Sequence, residues 1–464
     1  MGHRNAQVIA VQDLRGNCIA HCSPPPAGVS SRSWNFAFMI QAAHTLGEFH
    51  WLPIIIFIVT YLLIAIDSGR GSHLDRTASA FCGAVAMVLA GAISLDSAYR
   101  AISWDTIIFL LGIMILVAHF QMSHFFSWVA VRVAAVARTR LQLLIFLAFT
   151  VGILSAFFVN DTICLIFTPV VLAVTDRLRL PKLPYLVTLA TSANIGSVMS
   201  VTGNPQNALV GVTAHFTFLD FLKHLAPVAL LGLSLNVIVL AILFRREVWN
   251  AAPLEPHSEP IAVTLDRHLL SKCALAALLV LAMWILGFSF PLAAAAVGAF
   301  ILIIGRVKSE NVYHHIDWEL LLFFAALFVV MRGFEESGAV GWLLQFFEPG
   351  LKAGVATQLF AISGTMLVLS NLVSNVPAVL LVRSVMASFP HTHFLWLAVA
   401  STSTLAGNAT PLSSVANLIV IQLAARRTKV TFWEFTRAGI IVTVVTTLAA
   451  IAVLALEAHF FPQS

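Results

Sequence analysis

The sequence predicts an all-α, polytopic membrane protein. Of its 464 residues, 59% are hydrophobic and 10% are charged, against about 25% charged residues in an average soluble domain. The mean hydropathy is +0.92, and several apolar runs approach the ~20 residues that a helix needs to cross a bilayer. The strands of a membrane barrel would instead alternate polar and apolar residues. The composition therefore excludes an ordinary soluble enzyme, a coiled coil and a disordered chain.

The few charges indicate how the chain lies in the membrane. The net charge is +5, but the basic residues occur in short clusters between apolar segments, as they do in the cytoplasmic loops of membrane proteins. We therefore expect the lipid bilayer as a partner and no nucleic acid. We expect a multi-pass protein of the cell's inner (plasma) membrane.

Residues 1–50 are predicted to be an N-terminal extension. Residues 1–33 lack the apolar core of a signal peptide and are typical of a disordered segment, whereas 34–50 are compatible with a helix at the membrane interface. Cys18 and Cys22 flank His21, a pattern that also occurs in metal sites. In a tail that contains Pro and Ser, we interpret this pair of thiols as incidental.

A first transmembrane repeat is predicted at 51–244. A run of 36 mostly apolar residues in it, 141–176, would form a straight helix ~54 Å long, beyond the ~30 Å hydrocarbon core. Basic clusters on both flanks place both of its ends in the cytoplasm, so we predict a re-entrant hairpin. The other elements are spans at 51–66, 77–95 and 104–122, an amphipathic stretch at 123–140, an interrupted span at 184–212 and a span at 218–244.

A cytoplasmic linker at 245–267 precedes a second transmembrane repeat at 268–458. Residues 194–207 align without a gap with residues 404–417. Because each half has five crossings and one hairpin, the second half must enter from the opposite side, and the repeats are predicted to be inverted. The elements are spans at 268–286, 291–305 and 318–332, an amphipathic stretch at 333–350, a hairpin at 356–388, a broken helix at 393–424 and a span at 431–456.

Four polar breaks interrupt these apolar segments, two in each half. One interpretation is that they only kink helices. Small polar residues at mid-membrane incur a desolvation cost in every copy, however, and inverted repeats with broken helices are typical of the midplane site of secondary transporters. We therefore predict a substrate and cation site formed by the residues of the breaks: Asn160, Asp161, Thr162, Thr202, Gly203, Asn204, Pro205, Asn207, Ser374, Asn375, Gly407, Asn408, Thr410, Pro411 and Asn417.

Asp161 stands out among these residues because a carboxylate at membrane depth needs a proton, a cation or a partner. We predict a role in coupling, and the alternative is a side chain that caps the second helix of the hairpin. Its counterpart in the second half is Val376. For Arg383 two interpretations stay open: attraction of an anionic substrate, or extension of the side chain to the membrane surface.

At these motifs the chain resembles the ion transporter superfamily that includes divalent anion:sodium symporters, citrate transporters and arsenite permeases. The resemblance covers about residues 51–458. It rests on Phe158 to Thr162 with Phe167-Thr168-Pro169, Ala193 to Gly196 with Gly203-Asn204-Pro205 and Asn207, Ser374 to Ala378, and Gly407 to Pro411 with Asn417.

The resemblance implies an elevator mechanism, in which a transport domain with both hairpins and both broken helices slides against a scaffold, usually in a homodimer. It also implies two cation sites with substrate between the hairpin tips. The first would involve Asn160 and the Gly203–Asn207 turn, and the second would involve Ser374, Asn375 and the Gly407–Thr410 turn. Candidate Na⁺ ligands are therefore Asn160, Asn204, Asn375 and Asn408.

The hairpin tips bear on the coupling ion. Dicarboxylate symporters usually show Ser-Asn-Thr at both tips, whereas Asn160-Asp161 is similar to the arsenite permease branch, for which proton coupling is expected. Our leading hypothesis is a secondary active transporter of a small anion, such as a di- or tricarboxylate like citrate or an inorganic oxyanion, coupled to H⁺ or Na⁺ without a cofactor.

Other functions stay open beside this hypothesis. The alternatives within transport are arsenite or antimonite efflux and Na⁺/H⁺ antiport, and a channel is a further possibility. An intramembrane enzyme is disfavoured because the sequence contains no H-E-x-x-H, G-x-S-x-G or P-loop motif. We therefore predict no catalytic residues.

Overall fold

A computed structural model describes residues 10–12, 18–20, 51–66, 75–249, 263–340, 354–386, 389, 392–425 and 427–460. The chain divides into two units, Met1–His50 and Trp51–Ser464. In the first unit, strands β1 (Ala10–Gln12) and β2 (Cys18–Ala20) pair antiparallel, with Val11 opposite Ile19. The rest of the predicted extension lies outside the described residues.

The described part of the second unit is helical. Its first half contains α1 (Trp51–Ile66), α2 (Arg76–Leu89), α3 (Leu95–Ala101), α4 (Trp104–Met122), α5 (Phe125–Val136), α6 (Arg140–Phe157), α7 (Asn160–Arg177), α8 (Lys182–Ser197), α9 (Pro205–Thr213), α10 (Phe218–Leu243) and α11 (Arg245–Val248). The second half contains α12 (Arg267–Ile285), α13 (Phe290–Gly305), α14 (Ser309–Tyr313), α15 (Trp318–Glu336), α16 (Val355–Val373), α17 (Asn375–Met386), α18 (Thr392–Ala406), α19 (Val415–Ala424) and α20 (Phe432–Phe460).

Six of these helices are long and apolar enough to cross a membrane: α4, α6, α10, α12, α16 and α20. Large apolar side chains on the outside of the bundle, such as Ile242, Leu278 and Ile303, are exposed, as expected where lipid rather than water is the solvent. Several helices that start at polar loops are capped by a side chain that accepts a backbone N–H. Asp266 caps α12 and Asp317 caps α15 in this way.

Several predicted boundaries shift in the structure. The span predicted at 77–95 ends at Leu89, and Ser94 then caps the short helix α3, which we did not predict. The span predicted at 318–332 continues to Glu336, so the amphipathic stretch predicted at 333–350 begins inside α15, and its residues from 341 onward lie outside the described residues. Most of the linker predicted at 245–267 also lies outside them.

The apolar run at 141–176 folds into two helices, α6 and α7, separated by Phe158 and Val159. The start of α6 and the end of α7 both lie beside the start of α8. The hydroxyl of Tyr185 donates to the backbone oxygen of Arg140 (3.2 Å), and Lys182 Nζ lies 2.5 Å from Asp176 Oδ1. Both ends of the run are therefore on the same side, as a hairpin requires. The predicted polar triplet does not form the bend itself, because it is the first turn of α7.

The second hairpin bends at Ser374, between α16 and α17. Ser374 has a φ of +75°, a conformation that an L-residue adopts only at a cost of about 1–3 kcal/mol and that concentrates at functional sites. The first hairpin has no such residue at Phe158 or Val159. The two tips therefore have different backbone geometry although they occupy corresponding positions.

Both predicted interruptions are present, and the two broken segments run in opposite directions. Lys182, at the start of α8, and Arg427, just after α19, both contact Asp176 (2.5 and 3.1 Å). At the other end, His393 in the first turn of α18 lies 3.5 Å from Asp220, near the start of α10. The start of each segment therefore lies beside the end of the other, and the breaks meet in the middle of the bundle.

Helix contacts in one half have counterparts at corresponding positions in the other, and a contact between the halves occurs twice with the partners exchanged. Helix α4 packs along α13, as α15 packs along α2, and α6 packs along α8, as α16 packs along α18. Helices α6 and α8 are in such close contact at Gly196 that a Cβ on this residue would overlap the backbone of Gly152. Exchanged pairs of this kind are what a two-fold relation between the halves would produce.

Candidate functional site

The centre of the site is Asn194, a buried residue of α8. Its Oδ1 accepts hydrogen bonds from Asn160 Nδ2 (2.9 Å) and Ser414 Oγ (3.0 Å), and its Nδ2 donates to Asn408 Oδ1 (3.0 Å) and Asn417 Oδ1 (3.1 Å). All four hydrogen-bonding positions of the amide are used. One side chain thus joins the first hairpin tip to the interruption between α18 and α19.

The interruption between α8 and α9 makes the corresponding contacts with the second half. Asn204 Nδ2 donates to Thr404 Oγ1 (3.1 Å), and Thr404 Oγ1 lies 3.5 Å from Asn207 Oδ1. In the alignment of 194–207 with 404–417, Asn204 corresponds to Ser414 and Thr404 to Asn194. The Asn204–Thr404 pair is therefore the counterpart of the Ser414–Asn194 pair, and the sequence alignment holds at the level of single hydrogen bonds.

Asn207 and Asn417 bind the carbonyl groups that the broken helices leave without partners. Asn207 Nδ2 donates to the backbone oxygens of Ser197 and Ser200, both at 3.0 Å. Asn417 Nδ2 donates to those of Gly407 (2.7 Å) and Thr410 (2.8 Å). These two asparagines therefore stabilise the unwound backbone, and their amide N–H groups are taken by it.

The remaining residues of the breaks also bind mainly to protein atoms. Gly203 accepts the backbone N–H of Asn160 (3.0 Å), Thr202 Oγ1 lies 3.0 Å from Ser200 Oγ, and Thr410 Oγ1 lies 2.8 Å from Ser413 Oγ. Two of the four candidate Na⁺ ligands have their oxygens occupied: Asn204 Oδ1 accepts the N–H of Asn207 (2.8 Å), and Asn408 Oδ1 accepts from Asn194.

A cavity of about 180 Å³ lies where the two hairpin tips meet α2 and α15. Five of the residues predicted from the sequence line it: Asn160, Asp161, Pro205, Ser374 and Asn375. The other predicted residues do not appear in its described lining: Thr162, Thr202, Gly203, Asn204, Asn207, Gly407, Asn408, Thr410, Pro411 and Asn417. The structure therefore separates the predicted site into a cavity and a buried hydrogen-bond network behind it.

Asp161 faces this cavity. The N-cap of α7 is Val159, which makes no side-chain capping bond, and the Asp161 carboxylate lies near the backbone of Ala416 at the start of α19. The alternative in which Asp161 caps its own helix is therefore wrong. The carboxylate therefore lies between the first hairpin and the start of α19, at the wall of the cavity.

The cavity contains more negative than positive charge. Asp161, Asp317 and Glu319 line it, and Arg76 is the basic residue of its described lining. Asn375 adds a buried acceptor, because its Oδ1 has no hydrogen-bond partner among the described residues. A solute with hydroxyl donors or a positive charge fits this lining better than a multiply charged anion.

Five residues of the site were not predicted from the sequence: Arg76, Gln206, Asp317, Glu319 and the central Asn194. The sequence has a Trp followed by an acidic residue at the start of both α4 (Trp104-Asp105) and α15 (Trp318-Glu319), but nothing in it showed that the start of α15 would face a hairpin tip. For Asn194 a signal was present, because it begins the segment that aligns between the halves.

A second polar cavity, of about 430 Å³, lies between α3, α15 and α17. Arg383 lines it with an exposed side chain, together with Arg100 and Arg332. Ser384 Oγ in α17 donates to Glu335 Oε1 in α15 (3.2 Å). Arg383 therefore lies away from the first cavity and at a contact between the second hairpin and α15.

Comparison with known proteins identifies the family to which this chain belongs. The model of the citrate transporter family matches residues 54–404. The chain belongs to this family. An uncharacterized transporter of Mycobacterium tuberculosis is 31% identical over 86% of this chain and 97% of its own length. A protein of Oryza sativa subsp. japonica named silicon efflux transporter LSI3 is 28% identical over 86% of this chain and 96% of its own.

The fold also has a solved counterpart. The crystal structure of the YdaH transporter of Alcanivorax borkumensis superposes with a TM-score of 0.59 at 14% identity, and the match covers 89% of this chain and 97% of that one. The resemblance to the ion transporter superfamily is thus confirmed. The protein is a multi-pass membrane transporter and, like its family, not an enzyme.

Proposed function

We propose that this member of the citrate transporter family is a secondary active transporter of a small, uncharged hydroxylated solute, such as an undissociated metalloid acid, exchanged for protons. The observation that carries the proposal is the charge of the cavity, where three carboxylates face one guanidinium. A di- or tricarboxylate would add electrostatic repulsion against these carboxylates. A neutral hydroxy acid would instead donate hydrogen bonds to these oxygens.

The size of the cavity supports a small solute. Its volume of about 180 Å³ is below the roughly 300–1,000 Å³ of pockets for drug-sized ligands. The Oδ1 of Asn375 and the carboxylate of Asp161 supply acceptors from the two hairpins. The rice relative named as a silicon efflux transporter is consistent with this class of solute.

Asp161 is the proposed proton carrier. In this exchange it moves with the proton bound in one direction, releases the proton, and moves back deprotonated with the solute in the cavity, so that each cycle exchanges one solute for one proton. Na⁺ coupling is less well supported, because the side-chain oxygens of Asn204 and Asn408 already accept protein N–H groups. The first hairpin tip is thus proposed to hold the coupling group.

We further propose inverted repeats and an elevator movement. The antiparallel broken segments and the exchanged helix pairs support the inversion. In this proposal the hairpins and broken helices slide against a scaffold that includes α2, α4, α13 and α15, in a homodimer of the inner (plasma) membrane. Because Arg76 and Asp317 lie at helix starts that the charge distribution assigns to the cytoplasm, the cavity would be open to the inside.

A second candidate is a small anion, as expected from the sequence. Arg76 favours it, because a guanidinium in the cavity can bind a carboxylate or an oxyanion in a bidentate manner. Neutralising it by Arg76→Gln should abolish anion flux under this candidate. Under our first proposal the same change should leave the flux of a neutral solute within a few-fold of wild type.

Flux into proteoliposomes tests the proposal. We expect silicic or arsenous acid to move against its concentration gradient under an imposed proton gradient, and citrate, succinate, phosphate and sulfate to move little. Gradient-driven flux of one of these anions without metalloid flux would support the second candidate. Accumulation driven by Na⁺ alone would refute proton coupling, and purely downhill flux would indicate a channel.

A further inference from the structure

Two histidines and two acids meet at the end of the bundle opposite the cavity mouth. Asp220 and His224 belong to α10, His393 belongs to the first turn of α18, and Glu457 lies near the end of α20. Asp220 Oδ1 is 3.4 Å from His224 Nε2, and Asp220 Oδ2 is 3.5 Å from His393 Nε2. One possible metal-ligand atom from each of Asp220, His224 and His393 lies within 4.8 Å of the other two.

The protonation of His224 follows from its other neighbour. His224 Nδ1 lies 2.6 Å from Glu457 Oε2, and because a carboxylate only accepts, Nδ1 carries the proton. In the neutral ring Nε2 then presents a lone pair, and it points toward the carboxylate of Asp220. His224 is 1% exposed, and neither its Nε2 nor that of His393 has a hydrogen-bond partner among the described residues.

A lone pair of a buried histidine that faces a carboxylate is stabilised by a cation between the two groups. Ligand atoms bound at about 2.0–2.1 Å to a tetrahedral zinc ion lie about 3.3–3.4 Å apart. Each histidine Nε2 is at about this distance from an Asp220 oxygen, 3.4 Å from Oδ1 and 3.5 Å from Oδ2, and one ligand atom from each residue lies within 4.8 Å of the other two. The hydrogen bond from a histidine ring to a carboxylate is also the arrangement that orients zinc ligands. The ring of Phe216 packs against His393 and that of Phe394 against His224.

We propose that His224 Nε2, His393 Nε2 and the Asp220 carboxylate bind one Zn²⁺ ion, with Glu457 as the positioning residue for His224. Three protein ligands leave a fourth position for water. The ion would tie α10 to α18, and through Glu457 also to α20. It would thus stabilise the end of the second broken helix that lies farthest from the solute cavity, independently of which solute is transported.

Metal binding to the purified full-length chain tests this proposal. After removal of metals with a chelator and equilibration with Zn²⁺, we expect one tightly bound ion per chain by elemental analysis. Asp220→Asn, His224→Gln and His393→Gln should each weaken binding at least tenfold in calorimetry. Glu457→Gln should weaken it by about 10- to 100-fold, the usual effect of losing a carboxylate that orients a zinc-bound histidine.

Two controls make the result specific. His268→Gln changes an exposed histidine of α12 and should leave zinc binding unchanged. Cys18→Ser combined with Cys22→Ser removes the thiols of the N-terminal tail and should also leave one ion bound. Size-exclusion profiles and unfolding midpoints of the zinc-free variants verify that each protein is folded.

The contrary outcomes are equally definite. Zinc retained by folded His224→Gln and His393→Gln proteins but lost from the double cysteine variant would place the ion on the tail and overturn the proposal. Absence of stoichiometric zinc from the wild-type protein at neutral pH would overturn it as well.

Discussion

Asn194 Nδ2 donates a hydrogen bond to Asn408 Oδ1 across the centre of the bundle, at 3.0 Å. The two residues are 214 positions apart and belong to different halves of the chain. Asn194 lies in the last full turn of α8, and Asn408 lies in the break that follows α18. The contact therefore connects a continuous helix of one half to the unwound backbone of the other, and both broken segments depend on it.

Replacing Asn194 by Ala should destabilise the protein strongly. The change leaves buried polar atoms of Asn160, Asn408 and Asn417 without a partner, and each such atom costs about 1–3 kcal/mol. We expect a loss of about 3 kcal/mol or more, measured as a lower unfolding midpoint in detergent. Asn311→Ala, at an exposed position, should have almost no effect, and equal midpoints for the two variants would contradict a central role of Asn194.

Asp161→Asn should abolish proton-driven flux while leaving a folded protein. The amide has nearly the size of the carboxylate it replaces, but it cannot gain and lose a proton at physiological pH. The measurement is solute accumulation in proteoliposomes with and without a pH gradient. Asp176→Asn is a matched control in the same helix, because Asp176 forms ion pairs with Lys182 and Arg427 at the helix end. Unchanged pH-driven flux in Asp161→Asn would remove this residue from the coupling mechanism.

Gly196→Ala should separate α6 from α8. The added Cβ overlaps the backbone of Gly152, which cannot rotate away as a side chain could, and overpacking of this kind costs about 1–3 kcal/mol. Gly364→Ala in α16 adds a Cβ that has no neighbour within 4 Å and should stabilise its helix by up to about 1 kcal/mol. Unfolding midpoints that shift in opposite directions would verify the close packing, and a neutral Gly196→Ala would contradict it.

A cross-link between Glu335 and Ser384 should stop transport. Their side chains join α15 to α17, which belong to the proposed scaffold and to the proposed moving domain. In a background without other cysteines, Glu335→Cys with Ser384→Cys, bridged by a short thiol-specific reagent, should lose flux and regain it on cleavage of the bridge. A bridge between Arg332→Cys and Glu336→Cys, within α15, should not change flux. Full activity of the first bridged protein would refute an elevator movement between these two helices.

The hydrophobic pattern predicted most of the helices because the bilayer imposes one requirement on every span, an apolar surface of about 20 residues. The length of 141–176 predicted a hairpin for the same reason. Boundaries shifted where capping chemistry rather than hydropathy decides the end of a helix. Ser94, for example, starts α3 within a predicted span.

The site was predicted only as a set of breaks. Polar residues inside apolar segments were visible in the sequence, and the alignment of 194–207 with 404–417 indicated that the two breaks are equivalent. The different roles of the polar residues within these breaks were not visible in the sequence. Asn207 and Asn417 bind unwound carbonyls, whereas Asn160 and Asn375 line the cavity, and this difference depends on where each amide points.

The sequence by itself determined the solvent, the helical class, the duplication and the four breaks, because hydropathy and the repeated motifs are local properties of the chain. Only the tertiary structure decided which groups face one another. Arg76, Asp317 and Glu319 join Asp161 although long stretches of sequence separate them, and His224 meets His393 because antiparallel broken segments bring the start of α10 beside the start of α18. The charge of the cavity and the geometry of the proposed metal site both depend on which side chains are neighbours. These neighbours are set by the packing of helices that are distant in the chain.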